Sequence, residues 1–247
     1  MQDMDVKVIS TMRALAADAI QKANSGHPGT PLGASPMAYT LWAKQMNHNP
    51  ADPKWRNRDR FVLSAGHASA MLYSLLHLFG YGLTMDDLKN FRQLDSKTPG
   101  HPEYGHTVGV ETTTGPLGQG VANAVGMAMA GKMDEAAGKA SGRVYALLGD
   151  GELQEGLIWE AAMAAAHYKL DNLCAIVDRN RLQISGNTED VMKQDSQEER
   201  WAAFGWNVLS VPGNDMDALV HAFELAKHCK GKPTVIIANT TKGCGSS

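Results

Sequence analysis

The sequence predicts an α/β fold in which helices cover both faces of a mainly parallel sheet, giving an α/β/α arrangement of three layers. Two short apolar runs, at 144–148 and 173–177, are typical of strands that are buried on both faces. One helical stretch separates them, so the two runs form a βαβ unit with parallel strands. Strand-like and helix-like segments alternate along the rest of the chain, which indicates a sheet enclosed by helices.

The remaining elements follow from the same two periodicities. The predicted helices span residues 6–22, 31–46, 69–78, 85–92, 118–132, a stretch starting near 156, 196–204 and 216–228. The other predicted strands span residues 60–64, 206–211 and 234–239. Residues 95–120 have almost no periodicity, and a loop of that length inside a compact domain is usually functional. A second irregular piece is expected over 181–186.

Composition limits the function classes. With 247 residues, 43% of them hydrophobic and 20% charged, we expect one globular domain over residues 1–247. A net charge of −3 gives no general attraction to nucleic acid or to an anionic membrane. We expect a cytoplasmic protein, since the sequence shows neither a signal-like start nor an apolar run of about 18 residues. The three scattered cysteines argue against a disulfide framework and against a thiolate zinc site.

Polar residues follow both predicted strands of the βαβ unit. Asp150, between Gly149 and Gly151, comes after the first strand, and Asn180 comes after the second. The carboxyl ends of neighbouring parallel strands meet at one sheet edge, so Asp150 and Asn180 should lie side by side. Their oxygens suit Mg²⁺, while the glycines and the following helix start suit a phosphate group. The stretch predicts a metal–diphosphate site; an ordinary Gly-Asp-Gly turn is the alternative.

Three histidines, His27, His67 and His101, each stand in a loop that contains glycine. Their spacing is unlike the close pairs that bind zinc. Imidazoles on such loops can orient the hydroxyls of a sugar or a phosphorylated substrate, and they can move protons near neutral pH. Three independent structural histidines are the alternative.

The sequence does not match three common functional motifs. The pair Gly118 and Gly120 lacks the third glycine of a dinucleotide-binding turn, because Asn123 holds that place. A P-loop-like spacing ends in Lys132 and continues with Met133, where Ser or Thr is required. The Gly-x-Ser-x-Gly turn of many hydrolases does not occur.

Taken together, five segments resemble the transketolase family, in the order in which that family carries them. They are Ser25-Gly26-His27-Pro28-Gly29, Ser64-Ala65-Gly66-His67-Ala68, Pro99-Gly100-His101-Pro102-Glu103, Gly115-Pro116-Leu117-Gly118-Gln119-Gly120, and Gly149-Asp150-Gly151 through Glu155-Gly156 with Asn180. The resemblance spans the chain but covers only the N-terminal, diphosphate-binding domain of a full-length transketolase. The chain thus resembles the first subunit of a split, two-chain transketolase with the thiamine diphosphate-binding fold.

The resemblance implies a role for each matching residue. Asp150, Asn180 and the Leu182 carbonyl would bind Mg²⁺, with Ca²⁺ or Mn²⁺ as other possible ions. Thiamine diphosphate would be bound by Asp150 and Asn180 and also by His67, Gly115, Pro116, Leu117, Gly149, Gly151, Glu155 and Ile184. The implied catalytic residues are His27 and His101, which would contact sugar hydroxyls, and Glu155, which would tie activation of the cofactor to a neighbouring subunit.

The implied reaction is transfer of a two-carbon ketol unit from a ketose phosphate to an aldose phosphate. In this family the glutamate that protonates the aminopyrimidine belongs to the pyrimidine-binding domain, so we expect inactivity without a C-terminal partner subunit, in an α2β2 assembly. The family also has a further histidine after the segment resembling Thr241-Lys242-Gly243-Cys244-Gly245. The sequence stops at Ser247, so we expect that a C-terminal tail is missing.

Two other functions fit the same residues. One is the α subunit of another thiamine diphosphate enzyme, of the 2-oxo acid dehydrogenase type. The three histidines fit sugar hydroxyls better than a small oxo acid. The other is a non-catalytic subunit that has kept the cofactor fold, against which Asp150, Asn180 and Glu155 argue.

Overall fold

A five-stranded sheet forms the centre of the computed structural model, which describes residues 3–184, 186–194 and 196–246. The sheet strands, numbered in chain order together with a small hairpin (β4 and β5), are β1 Arg60–Leu63, β2 Val144–Gly149, β3 Leu173–Arg179, β6 Asn207–Pro212 and β7 Thr234–Asn239. Their order across the sheet is β1-β2-β3-β7-β6, and every neighbouring pair is parallel. The predicted α/β class with a mainly parallel sheet is confirmed.

Helices connect the strands. Within the described residues they are α1 Asp3–Ala23, α2 Gly29–Lys44, α3 Ser69–Leu78, α4 Met85–Lys89, α5 Gln119–Ala136, α6 Gly156–His167, α7 Thr188–Val191, α8 Gln197–Ala203 and α9 Met216–His228. In this part of the chain, none of the helices combines the length and the apolar character needed to cross a membrane.

Alternate side chains of each strand enter two separate cores. In β2, Tyr145 and Leu147 join the core formed with α1, α2, α3 and α9, whereas Val144 and Leu148 join the core formed with α5, α6 and α8. Trp201 of α8 is fully buried in the second core. The period-two alternation of a strand thus supplies both cores, which is why the fold has three layers. That residues 1–247 form one domain stays a prediction.

Three elements differ from the sequence-based prediction. The helix predicted over 85–92 ends at Lys89, because Arg92 takes a left-handed conformation with φ of 63°. Helix α5 continues beyond residue 132 to Ala136. Part of the stretch 181–186, predicted to be irregular, pairs as a small antiparallel hairpin of β4 Leu182–Gln183 and β5 Gly186–Asn187. Ser185, like the chain end at Ser247, lies outside the described residues.

The sheet register brings the predicted polar residues together. Gly149 of β2 pairs with Asp178 of β3, so Asp150 and Asn180 both leave the sheet at its carboxyl edge. Residues 95–118 contain neither helix nor strand within the described chain, as predicted, and they run beside the same edge. Two short 3₁₀ turns, Gly66–Ala68 and Gly151–Gln154, also lie there.

Candidate functional site at the carboxyl edge of the sheet

Asp150 joins the ends of β2 and β3. Its side chain is 1% exposed. One carboxylate oxygen accepts the Gly151 N–H at 2.9 Å, and the other accepts the Arg181 N–H at 2.5 Å. The Gln194 side-chain amide donates to the Asp150 carbonyl at 2.8 Å. These contacts fix the carboxylate without help from other parts of the site.

Asn180 has one defined amide orientation. Its Nδ2 donates to Asp178 Oδ2 at 2.9 Å, and its Oδ1 accepts the Leu182 N–H at 3.0 Å. The Thr240 hydroxyl donates to the other oxygen of Asp178 at 2.5 Å. Because a carboxylate only accepts, Asp178 holds the amide nitrogen on its own side and directs the Asn180 oxygen away from it.

Lys242 supplies a cation at this edge, and sequence reasoning missed it. Its Nζ donates to the Leu182 carbonyl at 3.4 Å. The same ammonium acts electrostatically on Asp150, Asp178 and His67. A basic residue shortly after the last strand was the available signal, but sequence analysis used this stretch only as a landmark.

The acid–base properties of this edge fit a cation. Burial raises the pKa of Asp150 to about 6, although the N–H groups of Arg181 and Gly151 and the charge of Lys242 oppose the shift. A bound divalent cation would restore the ionised carboxylate. Each ligand oxygen that accepts one N–H keeps a second lone pair for a metal.

The donor set is one carboxylate, one amide oxygen and one backbone carbonyl, which suits Mg²⁺. Elsewhere in the described part of the chain, the structure has no group of three or more His, Cys, Asp or Glu side chains arranged to hold a metal ion.

The three predicted histidines form one cluster. The ring centroids of His27 and His67 are 5.3 Å apart, and Thr30 Oγ1 lies 3.5 Å from His67 Nε2. Burial, followed by the charges of neighbouring histidines and Lys242, lowers the pKa of His67 to about 4. Burial, and to a smaller extent the positive charge of Arg92, also lowers the pKa values of His27 and His101. Neutral imidazoles at pH 7 can both donate and accept hydrogen bonds.

The turn 115–118 lies between His101 and Glu155. A Cβ on Gly115 would lie 3.3 Å from the His101 ring, and one on Gly118 would lie 3.2 Å from Glu155 Cβ. Both glycines have positive φ, at 151° and 85°, so larger residues would be strained there. A cavity of about 480 Å³ opens beside the turn, lined by His101, Glu103, Tyr104, Thr113, Thr114, Gly115 and Pro116.

Glu152 is the second residue that sequence reasoning missed. It is 2% exposed, and its carboxylate accepts the Ser64 hydroxyl at 2.5 Å, the Gly118 N–H at 2.8 Å and the Gly149 N–H at 3.2 Å. Burial raises its pKa, whereas these three hydrogen bonds lower it. The only sequence signal was its place inside the Gly149–Gly156 segment.

Ile184 is the predicted cofactor residue that stands apart. Its side chain is 95% exposed and its φ is 52°, so it projects from the hairpin instead of lining an enclosed cavity. The structure brings the other predicted residues to the carboxyl edge of the sheet or to the loops around it. The roles that the resemblance gives to all of them stay predictions.

The fold and the edge site define an α/β domain of the thiamine diphosphate-binding class, and residues 4–247 match the family model described as "Transketolase, thiamine diphosphate binding domain". The chain belongs to the transketolase family. It is 54% identical over 245 residues to the transketolase of Geobacillus stearothermophilus, covering 96% of this chain and 36% of that protein. It is 53% identical over 252 residues to transketolase 1 of Saccharomyces cerevisiae, covering 99% of this chain and 37% of that protein.

Solved structures of transketolases resemble the chain as closely as the sequences do. The chain superposes on Pichia stipitis transketolase in complex with sedoheptulose 7-phosphate with a TM-score of 0.96 and 48% identity, covering 99% of this chain and 37% of that one. For Campylobacter jejuni transketolase the TM-score is 0.95 and the identity 49%, covering 100% and 39%. The chain therefore spans somewhat more than a third of the relatives that it matches.

Proposed function

We propose that the chain is the cofactor-binding part of a transketolase, which transfers a two-carbon ketol unit from a ketose phosphate to an aldose phosphate. The observation that carries this proposal is the placement of Asp150, Asn180 and the Leu182 carbonyl at one sheet edge, beside a cluster of three neutral histidines. Family membership supports the reaction class. We also propose that the enzyme is cytoplasmic, as the sequence predicts.

The edge residues would hold the cofactor's diphosphate through a divalent cation. Asp150 and Asn180 would each give a side-chain oxygen, and Leu182 would give its carbonyl, to Mg²⁺ or to Ca²⁺ or Mn²⁺. Gly149 and Gly151 leave room for the phosphate oxygens, because neither places a Cβ at this edge. Lys242, which already lies at the Leu182 carbonyl, would balance the remaining negative charge.

The histidines would bind the sugar. Thiamine diphosphate supplies the carbanion stabilisation that breaking a carbon–carbon bond requires. His27 and His101 have lowered pKa values and are neutral near pH 7. They would donate hydrogen bonds to substrate hydroxyls or accept a proton from them. His67, more deeply buried beside Thr30, would face the diphosphate. Pentose phosphates are proposed as substrates from the family, since this site shows no sugar-specific contact.

A second protein surface would complete the site. Glu155 is exposed, and both Glu155 and the exposed Leu157 lie beside Gly118, which follows the exposed Leu117. The relatives carry the remaining two thirds of the enzyme on the same chain. We propose that a pyrimidine-binding domain covers this surface and supplies its glutamate to the cofactor. We also propose an α2β2 arrangement of two separate chains.

Reconstitution tests the proposal. The chain, alone and assembled with the polypeptide that carries the pyrimidine-binding domain, is titrated with thiamine diphosphate and Mg²⁺ and assayed with xylulose 5-phosphate and ribose 5-phosphate. We expect ketol transfer in the assembly, and its loss with loss of metal-dependent binding in Asn180→Ala. Pyruvate-dependent acyl transfer would indicate the 2-oxo acid dehydrogenase reaction. Cofactor binding without either activity would indicate a non-catalytic subunit.

A further inference from the structure

Glu152 connects three segments that are far apart in the sequence. Its Oε1 accepts the hydroxyl of Ser64, which follows β1, and the N–H of Gly118, which precedes α5. Its Oε2 accepts the N–H of Gly149, the last residue of β2. The sequence separations are 88 residues to Ser64 and 34 residues to Gly118. A single buried side chain therefore fixes the ends of two strands relative to the turn 115–118.

The network continues into helix α5. Ser64 Oγ donates to Glu152 and accepts the Val121 N–H at 3.1 Å, so the carboxylate and the hydroxyl together bind two N–H groups at the start of the helix. The helix has no capping side chain of its own, because its N-cap is Gly118. A negative charge is favourable at this end of an 18-residue helix. The space is tight as well, since a Cβ on Gly120 would lie 2.5 Å from Ser64 Cα.

The chemistry of the contact requires a carboxylate. All three neighbours of Glu152 donate, and an ionised carboxylate only accepts. Glutamine has the same shape, but its NH₂ group would face one of these donors. Aspartate keeps the charge, but it is one methylene shorter and cannot reach Gly118 and Gly149 together. Neither replacement satisfies the network.

The metal ligands have hydrogen bonds of their own, which do not involve the Glu152 side chain. Asp150 is held by the N–H groups of Gly151 and Arg181, and Asn180 is held by Asp178 and the Leu182 N–H. The one hydrogen bond of the Glu152 side chain at this edge is to the Gly149 N–H, and at 3.2 Å it is the longest of its three. Its contacts instead hold the turn 115–118, which lies between His101 and Glu155. Loss of the Glu152 contacts should therefore displace that turn and leave the metal ligands in place.

We propose that Glu152 is a positioning residue that holds the turn 115–118 where it borders the organic part of the cofactor, separately from the groups that hold the metal and the diphosphate. This inference rests on the proposed function. It divides the binding site into two halves that different side chains support, and it predicts that a change at Glu152 weakens one half much more than the other.

Two probes separate the halves in the assembled protein: inorganic pyrophosphate with Mg²⁺, which occupies only the metal–diphosphate half, and complete thiamine diphosphate with Mg²⁺. For Glu152→Gln we expect pyrophosphate affinity within about twofold of wild type and thiamine diphosphate affinity lower by about 10- to 100-fold, the range expected when a buried hydrogen-bond donor is left unsatisfied. Hydrogen exchange should also quicken at the amides of Gly118 and Val121. The matched control is Glu135→Gln, at an exposed position near the C-terminal end of helix α5, which should change none of these values.

Each outcome has one meaning. Equal loss of affinity for both probes in Glu152→Gln would overturn the inference, because the residue would then be a general structural support. Unchanged affinity for both would overturn it too. If Glu152→Gln does not fold, Ser64→Ala carries the test, since it removes one donor and keeps the carboxylate. The same selective loss of thiamine diphosphate affinity is expected, of about tenfold, in line with loss of one hydrogen bond to a charged group. Failure of the wild-type assembly to bind either probe would instead refute the proposed function.

Discussion

Replacement of Asp150 by Asn tests the central residue of the metal site through stability as well as binding. The carboxylate is 1% exposed, and burial raises its pKa from 3.8 to about 6. Asparagine has the same shape but no charge, so it removes the penalty of ionising this buried group. It also leaves one of the two N–H donors, from Gly151 or Arg181, facing an NH₂ group, at about 1–3 kcal/mol.

The magnitude follows from the pKa difference. The shift is about 2.2 (6 − 3.8), which corresponds to about 3 kcal/mol of unfolding free energy at about 1.36 kcal/mol for each pKa unit. Because the folded-state pKa is the higher one, this stability is fully present below pH 3.8 and is lost as the pH rises through about 6. The cost of the misplaced NH₂ group does not vary with pH.

Urea unfolding of both proteins between pH 4 and 7, with and without Mg²⁺ and thiamine diphosphate, measures these effects. Without ligands, the stability of wild type relative to Asp150→Asn should fall by up to about 3 kcal/mol across this range. The ligands should stabilise wild type and leave the variant unchanged. Asp190→Asn, at an exposed carboxylate, is the control. Parallel pH profiles, or full stabilisation of the variant by the ligands, would refute the assignment of Asp150.

Three further changes test other parts of the site. His67→Asn removes the buried imidazole, whose pKa is about 4. The unfolding free energy of wild type should fall by up to about 3 kcal/mol between pH 6.5 and pH 4, because only the unfolded state takes up the proton in this range. Urea unfolding should show a smaller fall for the variant. Lys242→Met removes the ammonium beside Leu182, and calorimetry with pyrophosphate and Mg²⁺ should show about tenfold weaker binding, in line with loss of a charged hydrogen bond. Arg58→Ala breaks the bidentate ion pair with Glu111, a residue of the loop 95–118; both distances between the guanidinium nitrogens and the carboxylate oxygens are 2.7 Å. Thermal unfolding should show a loss of about 3 kcal/mol of stability. Unchanged stability would show that this pair does not hold the loop.

The sequence was sufficient for the metal–diphosphate edge because that edge is local. Asp150 and Asn180 follow two strands of one βαβ unit, and the handedness and direction of such a unit leave them little freedom. The structure confirms their adjacency through the pairing of Gly149 with Asp178. The sequence could not show that Asp178 orients the Asn180 amide, because a buried acidic residue within a strand gives no periodic signal.

Contacts between distant segments account for what was missed. Glu152 stands in a turn, where a charged side chain is usually exposed, and two of its three hydrogen-bond donors, Ser64 and Gly118, are far from it in the sequence. The predicted helix over 85–92 is too long because Arg92 turns away from helical geometry and donates to Ser25 at 2.7 Å. The three histidines were singled out because each stands in a glycine-containing loop, and the family resemblance then gave each of them a role; no local pattern relates positions so far apart.

The unequal support of the two halves of the site predicts how each half depends on the rest of the enzyme. Asp150 and Asn180, whose side chains would hold the metal, are buried and are hydrogen-bonded within this chain. On the other side of the site, Leu117 in the turn 115–118 and Glu155 beside that turn are exposed.

Affinity for pyrophosphate with Mg²⁺ should therefore be nearly the same for the chain alone and for the assembled enzyme. Affinity for thiamine diphosphate should rise steeply on assembly, since only then does a second surface cover the organic part of the cofactor. Calorimetry on both forms measures the two dependences. Pyrophosphate binding that needs the partner as strongly as thiamine diphosphate binding does would show that the edge residues, despite their internal hydrogen bonds, are not held in place by this chain.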